Sequence, residues 1–323
     1  MKHEQMRMIA VGTATQDVFL VGGKLFTPQH EGTRDFTHIP LGEKLVMDDV
    51  VFASGGNAMN AAVTFARQGL SSEFIGFVGN DPAGLALASE LDDENVSTRS
   101  LHQEDHFKTS YSSILLAPGG ERTILRFYGS TRNLQAKDYD LSALEGADWV
   151  YLSSVGSMEL LERCVTEAAK HKVQIAFNPG TAELTSPKKV LALLEDVDVL
   201  IMNKEEIQKL VQGETLEELV HHASRLVPTV VISDGPRGAI ATDGKTIVTA
   251  GMYEDVEVKD RTGAGDAFGS GFVSHWAKGA PLRDVMVFAS ANSTSVVKHI
   301  GAKAGILHQQ ITLHDMPITE VPF

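Results

Sequence analysis

The chain holds one cysteine in 323 residues, Cys164, so no intrachain disulfide can brace it. Basic residues are scarce: 28 Lys and Arg against 42 Asp and Glu give 28 − 42 = −14 at neutral pH. That surplus is the reverse of the basic footprint that grips nucleic acid, so no nucleic-acid partner is expected. It leaves anionic small molecules open, because a helix N-terminus or a single Arg can bind phosphate locally. No apolar run reaches the roughly 18 residues that a membrane span needs. The first residues, Met1-Lys2-His3-Glu4-Gln5-Met6-Arg7, are polar and precede no signal-like apolar region. A cytoplasmic protein without a membrane partner is expected. Several motifs are absent too. There is no GxxxxGK[ST], no GxSxG and no HExxH, so P-loop, serine-hydrolase and zinc-hydrolase chemistry lack support. The first apolar run leads into Gly12-Thr13-Ala14-Thr15-Gln16-Asp17, not GxGxxG, which argues against a dinucleotide-dependent oxidoreductase.

What is present is an ordinary globular balance, 43% apolar and 22% charged, with 29 glycines in no fixed period. At about 150 residues per domain, the length suits two domains, or one large α/β domain with an appendage. Apolar runs at 7–12, 73–79, 147–152, 173–177, 197–202 and 228–233 read as strands. Helical periodicity covers 56–68, 82–93, 157–171, 204–211, 215–226, 265–279 and 281–299. Near-continuous apolar strands between helices predict a parallel sheet covered on both faces. Cys164 shares a helical face with Leu161, Val165 and Ala168 and reads as core.

Two segments break the rhythm. Residues 18–52 hold no convincing helix. Residues 107–128 read as strands 110–117 and 122–127 joined by Pro118-Gly119-Gly120-Glu121, a hairpin signal. Together they predict a small β layer beside the main sheet, placed to act as a lid. The expected division is a core of residues 1–17, 53–105 and 129–323 and a lid of 18–52 and 106–128. Ligands of open α/β sheets bind beyond the carboxyl ends of the strands. Polar residues and glycines gather there: Asp17, Asn178-Pro179-Gly180, Asn203-Lys204-Glu205-Glu206 and Ser233-Asp234-Gly235-Pro236-Arg237-Gly238.

The strongest motif is Asp260-Arg261-Thr262-Gly263-Ala264-Gly265-Asp266, opening an apolar helix. Its small residues leave the N–H groups of Gly263, Ala264 and Gly265 uncovered, and with the helix dipole these can hold a transferring phosphoryl group. Asp266 beside them can accept a proton from an attacking hydroxyl. The helix N-terminus is expected to keep its pKa low. A second motif, Ser54-Gly55-Gly56-Asn57-Ala58-Met59-Asn60, opens another helix. Its glycines allow close approach, and Asn57 and Asn60, three apart, can face one ligand with amides suited to sugar hydroxyls. An ordinary capped helix start fits that string equally well.

The two strings, Gly55-Gly56-Asn57-x-x-Asn60 and Asp260-x-Thr262-Gly263-Ala264-Gly265-Asp266, resemble the two signatures of the ribokinase-like, PfkB-type carbohydrate kinase family, in order and spacing across essentially the whole chain. The resemblance implies a three-layer α/β core with a mostly parallel sheet and a small β-sheet lid. It implies Mg2+-dependent transfer of the ATP γ-phosphate to a hydroxyl, often a CH2OH. Asp266 matches the family's base; Gly263, Ala264 and Gly265 match its anion hole. Asp17, Gly55, Gly56, Asn57 and Asn60 match its sugar-binding positions. Asn203-x-x-Glu206 matches a motif that acts near Mg2+ and the phosphates. Ser233, Gly235 and Gly238 match the nucleotide loop, and Ser290 or Asn292 the polar member beside adenine. Asp260 and Thr262 match positions near a K+ site in several members.

Departures bear on the acceptor. Ribokinases proper carry Lys where this chain has Asn57, and many sugar kinases have Gly-Ala-Asn where it reads Gly129-Ser130-Thr131. Arg126 and Arg132, on or just after the hairpin, are candidates for gripping a phosphate on a sugar phosphate, or are simply surface arginines. The acceptor is thus a sugar, a sugar phosphate or a nucleoside of the adenosine kind. A non-catalytic nucleotide or sugar sensor on the same fold is the rival. Lid sheets in the family often pair between subunits, which makes a homodimer the natural expectation.

Overall fold

The computed structural model describes residues 5–32, 34–253 and 256–323. The amino-terminal half runs β1 (Arg7–Gly12), β2 (Thr15–Val21), β3 (Gln29–Glu31), β4 (Arg34–Phe36), β5 (Asp49–Gly55), α1 (Asn57–Arg67), β6 (Ser71–Gly79), α2 (Pro82–Asp93), β7 (Leu101–Glu104), β8 (Ser110–Leu116) and β9 (Arg122–Phe127). The rest runs β10 (Trp149–Ser153), α3 (Met158–His171), β11 (Gln174–Asn178), α4 (Pro187–Leu193), β12 (Val199–Asn203), α5 (Lys204–Ile207), α6 (Leu216–Ala223), β13 (Thr229–Ser233), β14 (Ala239–Thr242), β15 (Thr246–Ala250), α7 (Ala264–Trp276), α8 (Leu282–Val297) and β16 (Ile318–Pro322).

The main sheet has ten strands in the order β16-β15-β14-β13-β12-β11-β10-β1-β6-β7. From β13 to β7 every pairing is parallel; β14, β15 and β16 continue the sheet antiparallel. Side chains alternate across each strand, and both faces are apolar. Met8, Ala10, Phe74 and Val78 pack with α1, α2, α7 and α8 on one side. Ile9, Val11, Ile75 and Phe77 pack with α3, α4 and α6 on the other. Cys164 lies in that second layer, and burial pushes its thiol up to about 12. Helix starts are fixed locally: Asp81 accepts the Gly84 N–H at 2.9 Å ahead of Pro82, and Ser157 caps α3.

The expected strands and helices are present, with shorter helices at 204–207 and 216–223. Four further strands extend the sheet beyond the six expected: β7 at one edge, and at the other β14 and β15, which follow β13 without a helix between, and β16, which returns after α7 and α8.

The small sheet has the order β5-β2-β8-β9, with β2 and β8 parallel and its outer pairs antiparallel. It begins at Thr15 and takes in β5 through Gly55, so its strands reach past residues 17 and 53 on both sides. Its register puts Asp17, Ala53, Ser112 and Arg126 side by side on one face. Phe19, Ile114 and Leu116 form a small core against Ile300 on the same side. Only Thr13 and Ala14 separate β1 from β2, so Asp17 in the small sheet stands just beyond the end of a main-sheet strand.

Candidate active site

The parallel strands end on a cavity of about 750 Å3. Thr13 follows β1, Ser154 follows β10, Asn178 ends β11, Asn203 ends β12 and Ser233 ends β13, and all of them line it. Arg126 and Tyr128 face it from the small sheet, and Gly265 and Asp266 from the first turn of α7. A second cavity of about 570 Å3 lies alongside. It is lined by the loop from Ser233 to Gly238 and by Ser290, Ser293 and Thr294 of α8. Asn203, Ser233 and Gly265 line both, so the two spaces meet at the start of α7.

At that junction the first N–H groups of α7 have no partner within the helix. The Ala264 N–H reaches only Arg261 O, at 3.4 Å. Gly263 sits in the left-handed region at φ 77°, and a Cβ there would come within 2.4 Å of Ala302 Cβ. Asp260, fully buried, braces the turn: its Oδ1 accepts from Thr262 N–H and Oγ1–H at 2.9 and 2.7 Å, and its Oδ2 from Gly301 N–H at 3.0 Å. Both carboxylate oxygens of Asp260 are thus engaged by the loop itself.

Asp266 Oδ2 accepts from Asn60 Nδ2 at 2.9 Å. Burial pushes the Asp266 pKa up to about 6; the Asn60 bond and Lys303 oppose the rise, while Glu206 and Asp17 add to it. This overturns the expectation of a low value. The helix N-terminus is a surface-scale effect, and desolvation among other carboxylates outweighs it. Asp17 is also buried, with its pKa raised by desolvation and pulled back by Ser112, Lys303 and Arg126.

The second motif divides its labour. Asn57 lines the larger cavity and donates from Nδ2 to Ser154 Oγ at 2.9 Å. Asn60 is buried, turned to Asp266 on one side and Lys303 Nζ, at 3.4 Å, on the other. The pair therefore does not face one ligand. A Cβ on Gly55 would meet Asp17 Oδ2 at 2.1 Å, and one on Gly56 (φ 101°) would meet Thr13 O at 2.1 Å. These glycines admit protein atoms, not directly a ligand.

Asn203 and Glu206 form a reciprocal cap: Asn203 N–H donates to Glu206 Oε2 and Glu206 N–H to Asn203 Oδ1, each at 2.9 Å. Both still line the larger cavity, and burial raises the Glu206 pKa. Gly235 and Gly238 line the second cavity, both at positive φ. Asn292 does not. It is fully buried, donating to Ala267 O at 2.8 Å and accepting from Leu307 N–H at 2.9 Å. It ties α8 to α7 and to the carboxyl-terminal segment, and the polar residues that α8 presents to the second cavity are Ser290, Ser293 and Thr294.

Two features escaped the sequence reading. Lys303 lies beneath the site, although the only signal was a lone charge in Ile300-Gly301-Ala302-Lys303-Ala304-Gly305-Ile306. Tyr128 carries Arg126 and Arg132 over its ring, at 5.0 and 4.2 Å from the centroid, and all three line the larger cavity.

The model of the pfkB family carbohydrate kinases matches residues 31–309. The chain belongs to this family. A probable chloroplastic fructokinase of Arabidopsis thaliana is 29% identical over 279 residues, covering 77% of this chain and 71% of that protein. A ribokinase of Haemophilus influenzae is 27% identical, covering 84% and 90%. The solved structure of an Arabidopsis thaliana ribokinase, described as complexed with ribose and ATP, superposes with a TM-score of 0.77 at 22% identity, covering 94% and 96%. The protein is a carbohydrate kinase with the ribokinase fold: a large, mostly parallel sheet between helices, plus a small sheet. Among the described residues no helix is long and apolar enough to cross a membrane.

Proposed function

We propose that the protein transfers the γ-phosphoryl group of ATP to a CH2OH hydroxyl of a sugar held in the larger cavity. One observation carries this reading: two adjoining cavities share the start of α7 at Gly265, where the first N–H groups have no partner within the helix, and Asp266 lines the larger of the two. The nucleotide occupies the second cavity, over the loop from Ser233 through Gly235 to Gly238 and beside Ser290. The sugar lies between the core and the small sheet, against Asn57 and toward the buried Asp17, which is not itself part of the cavity lining; Gly55 leaves room for Asp17 and Gly56 for the Thr13 carbonyl. Asn60 supports Asp266, not the sugar directly. Asp266 orients the hydroxyl and takes its proton, and a pKa near 6 suits a base at neutral pH. Gly263, Ala264 and Gly265 form the anion hole that receives the transferring group.

Mg2+ would neutralise phosphate charge during transfer. Among the described residues no group of three or more His, Cys, Asp or Glu is arranged to hold a metal. The ion would therefore be carried by phosphate oxygens and water, with Glu206 and Asn203 as the protein's nearest polar groups. Asp260 and Thr262 brace the anion-hole turn, and K+ there would rely on backbone carbonyls.

ADP release tests the reading, with Mg–ATP and a panel of sugars, sugar phosphates and nucleosides, with and without K+. The expected result is fast turnover with a sugar acceptor. ATP binding with no turnover across the panel would favour the sensor reading instead.

The stack of Arg126 and Arg132 on Tyr128 favours a second reading, an acceptor that already carries a phosphate. Arg132→Ala should then raise KM for the phosphorylated acceptor about 10–100-fold, the scale of charge-assisted hydrogen bonds. It should leave KM for the matching neutral sugar within about twofold, the scale of a near-neutral surface change. An equal effect on both acceptors would remove this reading.

We also propose that β2, β5, β8 and β9 act as a lid over the acceptor, and that the lid's outer face pairs with a second copy of the chain. Phe52, Leu125 and Phe127 are 71%, 57% and 53% exposed. They alternate along their strands with Ala53, which packs on the small inner core, and with the cavity-lining Arg126. So much apolar surface on one face is the mark of an interface. Sedimentation should give a dimer at micromolar concentration, shifted to monomer by Phe52→Asp.

A further inference from the structure

Lys303 is 4% exposed. Its Nζ donates to Asn60 Oδ1 at 3.4 Å and lies 3.6 Å from Glu90 Oε1. Glu90 is held in turn by the hydroxyl of Ser54. Asn60 Nδ2 donates to Asp266 Oδ2 at 2.9 Å. The ends of a carboxamide are nearly equal in size, and one donates while the other accepts. An Asn60 free to turn could present its oxygen to a protonated Asp266 as well as its nitrogen to an ionised one. An ammonium has only donors to offer. Placed at Oδ1, it settles which end of Asn60 meets Asp266.

We propose that Lys303 is a positioning residue for phosphoryl transfer: through Asn60 it keeps an N–H on Asp266, and its charge holds that carboxylate ionised beside the acceptor. The inference rests on the reading of Asp266 as the base. The groups facing Asp266 are Asn60 from α1, Lys303 from the segment after α8, Glu206 from α5, Asp17 from β2 and the Tyr151 hydroxyl from β10. Lys303 is the cation among them. Without it, Glu206, Asp17 and burial act on Asp266 with only the Asn60 bond to oppose them. Burial draws the Lys303 pKa down, while Glu90, Asp17 and Glu94 hold it up, so the ammonium has carboxylate partners in its buried setting.

The test is kcat/KM against pH, from about 5.5 to 8.5, for the wild type and Lys303→Met at equal Mg–ATP. Both enzymes meet the same nucleotide ionisation, so their ratio isolates the protein group. Loss of one nearby opposite charge should move the acid limb up by about one pH unit, making the wild type about fivefold faster at pH 6 and about twofold at pH 7. Lys303→Gln keeps a donor for Asn60 without the charge, and should show the same shift if the Met variant does not fold. A loss equal at every pH, or a lower Tm with the limb unmoved, would make Lys303 a packing residue and overturn the inference. Asp266→Asn separates the two failures. If it keeps turnover, the base assignment falls and the Lys303 inference with it. If it abolishes turnover while both Lys303 variants leave the limb in place, only the Lys303 inference falls.

Discussion

Asp266→Asn is expected to lower kcat by about 10²–10⁴, the range for losing a positioned base, while making the protein more stable at neutral pH. The two effects share one cause. Burial raises the Asp266 pKa from 3.8 to about 6 in the folded chain. A carboxyl whose folded pKa lies above its unfolded value favours folding fully only below about pH 4. That contribution is lost as pH rises through about 6, so at pH 7.5 the ionised side chain opposes the fold. Two pKa units correspond to about 3 kcal/mol, and about half of that is expected because the carboxylate borders the cavity and its water. An amide avoids the cost, and its oxygen still accepts from Asn60 Nδ2. Calorimetry should show Tm higher by a few degrees at pH 7.5, with the gain fading toward pH 4. Near-normal turnover in a folded variant would sink the base assignment. Lost turnover with a lower Tm would point instead to a structural role.

The sequence made the strand ends legible because parallel strands are buried on both faces and leave polar residues only where they stop. Asn178, Asn203 and Ser233 were found that way, and they do line one cavity. Local strings were legible as far as local geometry reached. Asn203-x-x-Glu206 stands out as a string, and it forms a compact local unit, a reciprocal cap on α5. Contacts between residues far apart in the chain were not legible. Gly55 looks like a ligand glycine until Asp17 is seen filling its space. Asn292 sits on the helix expected beside the nucleotide, but a helix has several faces, and this one points into α7. The Asp266 pKa failed for the same reason: the helix start is visible in sequence, whereas Glu206 and Asp17 arrive from other elements. Lys303 belongs with these, since its meaning depends on Asn60 and Glu90, residues more than two hundred positions away.

The glycines at either end of Gly263-Ala264-Gly265 should fail in opposite ways. Gly263 is at φ 77° with Ala302 pressed against it, so Gly263→Ala must strain the backbone and push on a neighbour. It should destabilise the fold by more than about 1 kcal/mol, the scale of forcing a side chain into the left-handed region. Gly265 has no such reason to be glycine. Nothing lies within 4 Å of where its Cβ would stand. Within the first turn of α7 an alanine should even stabilise by about 0.5–1 kcal/mol. What Gly265 does have is a place on both cavities at once. Its missing side chain leaves open the path along which a phosphoryl group would pass. Gly265→Val should therefore fold with a Tm close to that of the wild type and lose about 10²–10³ in kcat, comparable to removing an oxyanion-hole donor. If the variant turns over normally, the transferring group does not pass over the start of α7. If instead both variants lose stability alike, the second glycine serves the fold and not the reaction.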